Sequence, residues 1–264
     1  MDKFIENKNA KLFIKQSIIK NSDSAIILIH GLAEHSGRYE EFIKILNENG
    51  FSVFAIDLRG HGQTISKRGD CENINYVISD IDKIVEYVKN NYNFKKLGIF
   101  GHSVGGLVAS LYSSLFKNID FLVLSSPAIY CPSRLKIIKF IPYNLLKFIY
   151  IKKRHSESQQ MLDYSRNDKY ALKKFSIRTI GIFFNDAIKL LNQNLNINCP
   201  VLLIYGSKDR LLNEQYHFEE FMAKLKNKQN KIINYPEAKH RIVQNEGSKE
   251  RIEDILDWLK NIIV

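Results

Sequence analysis

The strongest constraint on the fold is a series of short apolar runs that alternate with longer stretches of helical periodicity. The runs are rich in Ile, Leu and Val and are bounded by Gly, Asn or Pro, as is typical of strands buried on both faces. The predicted strands are Ala25–Ile29, Phe51–Ile56, Leu97–Phe100, Phe121–Leu124 and Val201–Tyr205. The predicted helices are Tyr39–Asn49, Ile74–Asn91, Val104–Phe116, Glu214–Lys226 and Ser248–Ile263. This order predicts an α/β fold with a mostly parallel central sheet and helices on both faces.

The alternation is interrupted between residues 128 and 198, where helical patterns occur without a clear strand. We expect this stretch to form a helical cap, or lid, inserted over one edge of the sheet. The predicted core therefore comprises residues 1–127 and 199–264, and the predicted cap comprises residues 128–198. The segment Lys11–Ile19 is predicted to add a further strand, with an antiparallel orientation as one option.

The composition and the cysteines are typical of a globular protein whose cysteines are reduced. Apolar residues make up 45% and charged residues 25% of the 264 residues, which excludes intrinsic disorder. The three cysteines, Cys71, Cys131 and Cys199, are scattered and odd in number, so neither a disulfide framework nor a zinc site is expected. The N-terminal segment lacks the apolar core of a secretory signal, and a cytoplasmic location is predicted.

Leu97–Phe116 is long enough to span a bilayer and has no charged residue. It contains four glycines and a histidine, however, and therefore fits a strand, a turn and a helix better than a membrane-spanning helix.

The chain carries a net charge of +11, from 39 basic and 28 acidic residues. Such a surplus favours an anionic partner, namely nucleic acid, an anionic membrane surface or an acidic substrate, unless it reflects only a lysine-rich composition. No nucleic-acid-binding motif is present, and the aromatic residues do not interleave with the basic runs as stacking platforms. We therefore expect no nucleic-acid partner.

The most specific chemical signal is the sequence Gly101-His102-Ser103-Val104-Gly105, which follows a predicted strand and opens a predicted helix. The pattern G-x-S-x-G in that context is typical of a nucleophile elbow, in which a strained turn projects the serine hydroxyl above the sheet. The alternative is a structural tight turn. The context favours Ser103 as a nucleophile.

A serine nucleophile needs a base and an acid that orients it, and in this arrangement they follow in the order Ser, Asp or Glu, His. His240 lies on a predicted loop before the last helix and is the predicted base, whereas His217 lies within a helical pattern and is expected to be a surface histidine. Asp209 follows the strand Val201–Tyr205 and is the predicted acid. An ordinary turn aspartate is the alternative for Asp209.

The predicted oxyanion hole uses two backbone N–H groups. One belongs to Val104, the residue after the nucleophile, and the other to Leu32 in the loop after the first core strand. Gly31 would allow the sharp turn that presents Leu32.

Three further stretches accompany the elbow: His30–Tyr39 reads HGLAEHSGRY, Asp57–Gly62 reads DLRGHG, and Lys239–Arg241 is followed by Asn245 and Glu246. Together with the elbow they resemble the α/β-hydrolase fold and, within it, the monoacylglycerol lipase and lysophospholipase family. The resemblance covers the chain from about residue 25 to its end and is weakest in the predicted cap. It implies hydrolysis of monoacyl esters through an acyl-enzyme, with Ser103, Asp209 and His240 as the triad.

The resemblance also implies roles for two charged residues of the first motif. Glu34 and Arg38 match positions that organise the polar end of the pocket in monoacylglycerol lipases, and pairing that staples the loop to the next helix is the alternative. The triplet Asp57, Arg59 and His61 is expected to be structural. Glycerol-binding relatives often carry a second histidine three residues after the catalytic one, where this chain has Val243.

The predicted cap contains a segment suited to a lipid surface. No acidic residue occurs between Phe121 and Ser156, and Ser133–Arg154 mixes apolar residues with lysine and arginine. Pro142 is expected to divide this run into two short helices. Basic residues around an apolar face are typical of segments that contact anionic membranes. The alternative is a cap whose apolar face lines an acyl pocket while its lysines are solvated.

The predicted function is therefore a serine hydrolase that cleaves carboxylic esters of single-chain lipids. The alternatives are a short-chain carboxylesterase, a thioesterase or a peptidase of the same fold. A catalytically inactive hydrolase scaffold is disfavoured because every position of the triad is filled. The sequence implies no metal and no organic cofactor, and it leaves the oligomeric state undetermined.

Overall fold

The computed structural model describes residues 2–152, 167–244 and 247–263. Within these residues, one eight-stranded sheet forms the centre of the molecule, with the strand order β1-β2-β4-β3-β5-β6-β9-β10. Its strands are β1 (Lys3–Asn7), β2 (Ala10–Ser17), β3 (Ser24–Ile29), β4 (Phe51–Ile56), β5 (Lys96–His102), β6 (Phe121–Ser125), β9 (Val201–Gly206) and β10 (Lys231–Tyr235). The strands from β4 across to β10 are parallel, and β1 and β2 are antiparallel additions at one edge.

Helices cover both faces of this sheet, as predicted. Their bounds are α1 (Glu40–Glu48), α2 (Ile74–Asn91), α3 (Val104–Leu115), α6 (Tyr216–Ala223) and α7 (Ser248–Ile262). Alternate residues of β3 enter two separate cores: Ile27 and Ile29 pack with α2 and α3, whereas Ile26 and Leu28 pack with α1 and α7. The continuous apolar runs are thus explained by burial on both faces.

The N-terminal edge differs in detail from the prediction. The added strand is β2, which pairs antiparallel with β4, and a second strand, β1, completes a hairpin with it. β1 was not predicted from the sequence because this edge strand is short and largely exposed, and its residues therefore lack the apolar continuity of the core strands.

The chain between β6 and β9 contains more than the predicted helices. It forms a 3₁₀ helix (Ser133–Phe140), the antiparallel strands β7 (Tyr150–Lys152) and β8 (Lys174–Ser176), and the helices α4 (Ile177–Gly181) and α5 (Ile188–Asn194), joined by a π-helical stretch, Ile182–Ala187. The expectation of no strand here was therefore wrong. The two strands are only three residues each, too short to give a periodic signal. The division into a core and a cap at residues 128 and 198 stays a prediction.

Between Pro142 and Lys152, where the described part of this run ends, the expected second helix does not form, and residues 143–148 adopt turns. The amides of Leu145 and Leu146 both donate to the carbonyl of Pro142, and the amide of Ile149 donates to that of Leu146. The chain therefore forms successive turns that do not join into a helix.

In the part of the chain that the structure describes, no helix has the length and apolar character required to cross a membrane. The uncharged stretch Leu97–Phe116 forms β5, a turn and α3, as expected.

Candidate active site

Ser103 lies at a sharp turn between β5 and α3. Its backbone has φ 52° and ψ −117°, a left-handed conformation that is costly for a residue with a side chain. Its N–H donates to the carbonyl of Ser125 at 2.9 Å, and its own carbonyl accepts from Ala128 at 2.9 Å. The strained turn is therefore held from both sides by the chain that leaves β6.

The two glycines of the motif are required by close backbone contacts. A Cβ atom on Gly105 would lie 2.2 Å from the carbonyl oxygen of Ile29, and one on Gly101 would lie 2.5 Å from the carbonyl oxygen of Gly105. Such separations are far inside van der Waals contact. The turn can close on itself and can approach the end of β3 only because these positions carry no side chain.

Asp209 and His240 are joined by a hydrogen bond. The distance from His240 Nδ1 to Asp209 Oδ2 is 2.6 Å, and the other carboxylate oxygen accepts from the amides of Leu211 and Leu212 at 2.7 and 3.0 Å. The two loops are also tied through the backbone, because the amide of Lys208 donates to the carbonyl of Ala238 at 3.0 Å.

The environment of Asp209 favours its ionised form. Burial by itself would raise its pKa, but the charge of His240 and the hydrogen bonds to the carboxylate outweigh burial, and the pKa of Asp209 lies below its ordinary value. An ionised carboxylate accepts the Nδ1 hydrogen of His240. Nε2 of the imidazole is then the nitrogen available to take a proton.

The imidazole of His240 lies beside the turn that carries Ser103. Its ring centroid is 4.9 Å from that of His102, the residue that precedes Ser103. His102 itself is buried, and burial lowers its pKa to about 3, so this neighbouring ring is neutral at physiological pH. The structure thus brings the loops of Ser103, Asp209 and His240 together at one edge of the sheet.

The loop that contains Leu32 packs directly on the Ser103 turn. A Cβ atom on Gly31 would lie 3.2 Å from Cβ of Ser103 and 3.1 Å from Cδ2 of His102. Val104 is the first residue of α3, where backbone N–H groups have no partner within the helix. Both amides considered for an oxyanion hole therefore belong to segments next to the serine.

Glu34 and Arg38, which the resemblance places at the polar end of a substrate pocket, both bond to other protein side chains. Glu34 is 2% exposed, and its carboxylate accepts from the hydroxyl of Tyr39 at 2.9 Å and pairs with Arg241 at 2.7 Å. The Nε of Arg38 donates to Asp168 at 3.0 Å. These buried pairs favour the alternative of a structural staple. The contact between Glu34 and Tyr39 does link the loop to the start of α1.

The comparisons with known proteins agree with this geometry. Residues 20–247 match the family described as serine aminopeptidase, S33. The chain belongs to this family. It is 25% identical over 232 residues to the monoglyceride lipase of Homo sapiens, a match that covers 84% of this chain and 76% of that protein.

Two further matches support membership of the S33 family. A solved structure, the monoacylglycerol lipase of Paleococcus ferrophilus, has a TM-score of 0.80 and 26% identity, covering 94% of this chain and 98% of that one. An uncharacterized abhydrolase domain-containing protein of Dictyostelium discoideum is 26% identical over 254 residues, which are 91% of this chain. The match spans only 26% of the length of that relative. The predicted resemblance to monoacylglycerol lipases and lysophospholipases and the predicted class, a serine ester hydrolase, are confirmed.

Two other histidines of this S33-family chain make contacts outside the Asp209–His240 pair. His217 bonds Glu220 at 3.0 Å within α6, as expected for a surface histidine, and burial lowers the pKa of His61 to about 3. His61 belongs to the triplet expected to be structural, whose Arg59 pairs with Asp80 at 2.7 Å. Asn245 and Glu246, noted in the sequence, lie outside the described residues, and so does His155.

Two charged residues that contact this site were not predicted from the sequence. Arg241 pairs with Glu34, which lies 207 positions earlier in the chain. Asp168 accepts from Arg38, which lies 130 positions earlier. His35 bonds to the same Asp168 oxygen, Oδ2, at 2.8 Å. Arg241 lies in the stretch around the predicted base, but nothing in that stretch indicates its partner, and Asp168 lies in no motif. Only the adjacency of Arg241 to the predicted base could have drawn attention to it.

Proposed function

We propose that this protein hydrolyses carboxylic esters of single-chain lipids through an acyl-enzyme on Ser103. The observation that carries the proposal is the combination of a serine in a strained strand–helix turn with an aspartate–histidine hydrogen bond of 2.6 Å on the neighbouring loops. Family membership and relatives named as monoglyceride lipases support the same reaction class.

In the proposed reaction, Oγ of Ser103 attacks the ester carbonyl carbon while Nε2 of His240 takes the hydroxyl proton. The C–O bond to the alcohol then breaks, and His240 returns the proton to the leaving alcohol. Water repeats the sequence on the acyl-enzyme, releasing the carboxylic acid and restoring Ser103. Asp209 holds the imidazole in the required tautomer and stabilises its charged form throughout.

The tetrahedral oxyanion is proposed to bind the N–H groups of Leu32 and Val104. Loss of one such donor costs roughly 3 kcal/mol of transition-state stabilisation in enzymes of this type. The closeness of the Gly31 loop to Cβ of Ser103 supports this assignment, since the donor must lie within hydrogen-bond distance of the reacting carbonyl.

A fluorophosphonate probe tests the proposed nucleophile. We expect the parent protein to be labelled and Ser103→Ala to remain unlabelled, with both variants equally folded by circular dichroism. Labelling of Ser103→Ala to the same extent would overturn the assignment.

A substrate panel then separates the alternatives. It should include p-nitrophenyl esters of increasing chain length, a monoacylglycerol, a lysophosphatidylcholine, an acyl thioester and an aminoacyl p-nitroanilide. The proposal predicts the highest kcat/KM on long-chain esters. Preference for the shortest ester, for the thioester or for the anilide would favour a carboxylesterase, a thioesterase or a peptidase, respectively. Both lipid head groups are needed because Val243 provides no hydrogen bond to a glycerol hydroxyl.

We further propose that the segment from Lys136 to Ile151 contacts anionic membranes. Its apolar side chains are unusually exposed: Phe140 is 87%, Leu145 77% and Phe148 75% accessible. Ile137 is 67% accessible, whereas its neighbour Ile138 is buried. Lys136 and Lys139 are exposed beside these residues, and the segment has no acidic residue. Lysines interspersed with exposed apolar side chains match an anionic lipid surface.

Vesicle sedimentation tests this contact. We expect binding to vesicles containing phosphatidylserine, weaker binding to phosphatidylcholine alone, and loss of binding in Lys136→Gln/Lys139→Gln and in Phe140→Ser. A matched control neutralises the exposed lysines of α7, Lys249→Gln/Lys260→Gln, and should bind as the parent does. Equal binding to neutral and anionic vesicles would refute the proposed charge selectivity.

A further inference from the structure

A buried ion pair connects the loop of the proposed base with the loop of the proposed oxyanion hole. Arg241 directly follows His240, and its Nη2 lies 2.7 Å from Oε1 of Glu34. The two side chains are 8% and 3% exposed, respectively. A charge pair this far from solvent is screened little by water, so it constrains the two loops strongly.

The second oxygen of Glu34 reaches the turn that carries Leu32. Oε2 accepts from the amide of Gly31 at 3.4 Å and from the hydroxyl of Tyr39 at 2.9 Å. The amide of Glu34 in turn donates to the carbonyl of Gly31 at 3.2 Å, which closes a turn around Leu32. Within this turn Ala33 has φ 63°, a left-handed conformation that needs support from its surroundings.

Other contacts connect each of these two loops to the turn that carries Ser103. Gly31 packs on Ser103, and the ring of His102 packs on that of His240. The Glu34–Arg241 pair therefore joins two segments that each contact the serine turn independently. A change in either side chain would be transmitted to the backbone that holds Leu32 and to the backbone that holds His240.

We infer that Glu34 and Arg241 act as a positioning pair, which holds the Leu32 amide and the His240 imidazole in a common geometry around Ser103. The inference rests on the proposed function, because it assigns the pair a role in that reaction. Both residues act through the backbone of their loops. Their removal should slow the chemical step more than it weakens substrate binding.

The test compares Arg241→Met, Glu34→Gln and the double variant on a soluble p-nitrophenyl ester, with active sites counted by fluorophosphonate labelling. We expect kcat per labelled site to fall by about 10²-fold in each single variant, as misplacement of catalytic groups by about 1 Å can cause, while KM changes less than about threefold. The double variant should be no slower than the worse single variant, because both changes break one contact. Arg241→Lys keeps the positive charge but loses the planar guanidinium group with its several donors. It should therefore recover part of the rate that Arg241→Met loses.

Arg59→Met is the matched control. It breaks the Arg59–Asp80 pair, whose side chains are 3% and 4% exposed, and should lower stability without changing kcat per labelled site. If Arg241→Met and Glu34→Gln keep the kcat of the parent, or if their effects multiply in the double variant, the positioning role is refuted. If one of the two substitutions prevents folding, the other decides by the same criterion, because both break the same pair. A parent protein that neither labels nor turns over esters would instead refute the proposed function.

Discussion

His240 Nδ1 lies 2.6 Å from Oδ2 of Asp209, although the two residues follow different strands, β10 and β9. These strands are parallel neighbours, so their carboxyl ends lie at the same edge of the sheet. The pairing of Asn234 with Tyr205 and of Tyr235 with Gly206 sets how far each loop extends beyond that edge. The hydrogen bond is thus a consequence of strand register.

Asp209→Asn should lower kcat by roughly 10³- to 10⁴-fold while the fold is kept. The side chain of the introduced asparagine carries no negative charge, so it no longer favours the tautomer of His240 with its hydrogen on Nδ1. Steady-state kinetics on an ester substrate measures this change, and near-parental activity would contradict the proposed role of Asp209.

Gly105→Ala should destabilise the protein by about 3 kcal/mol or more, because the new Cβ would lie 2.2 Å from the carbonyl oxygen of Ile29 and forced overpacking is costly. Gly50→Ala is the matched control. Gly50 has φ +89° but no neighbour within 4 Å of an added Cβ, so only the backbone strain, about 1 kcal/mol, is expected. Urea denaturation measures both values, and equal losses would argue against the close contact.

Arg178→Met should lower the free energy of unfolding by about 3 kcal/mol near neutral pH, because it removes a partner of the buried Asp70. Burial raises the pKa of Asp70, but hydrogen bonds from Arg178, Ser176 and Lys67 outweigh it, and the pKa lies below the ordinary value. The stabilisation is therefore present above the unfolded-state pKa of about 3.9 and is lost as the pH falls through the lower native value.

Urea denaturation of the parent and of Arg178→Met at several pH values checks this expectation. The difference in stability between them should shrink as the pH falls below about 4. A difference that stays constant down to the acid transition would contradict the role of the ionised carboxylate.

His61→Gln should make the free energy of unfolding less dependent on pH in mild acid. Burial lowers the pKa of His61 to about 3, so between pH 6.5 and that value the unfolded chain binds a proton that the native protein does not. Native stability then falls with decreasing pH by about 1.4 kcal/mol per pH unit for this group. The slope of unfolding free energy against pH between 6 and 5 should be smaller in the variant by nearly this amount. Identical slopes would show that His61 does not contribute.

Much of the fold could be predicted because the core strands are continuous apolar runs of a recognisable length. The same holds for the Ser103 turn, since its glycines are dictated by contacts within a local strand–turn–helix unit. The strands β7 and β8 could not be predicted in this way. They are three-residue segments stabilised by pairing with each other, and nothing in either segment alone indicates its partner.

The amino-acid sequence by itself determined the parallel sheet, the strained serine turn and the candidate residues Ser103, Asp209 and His240, because each depends on local pattern and on chain order. Only the tertiary structure decided the partners of Glu34 and Arg38. Both are charged residues in a motif, and a charge can point to solvent, substrate or another side chain. Their burial against Arg241 and Asp168 depends on where distant loops meet, which is a property of the packed sheet and its insertions.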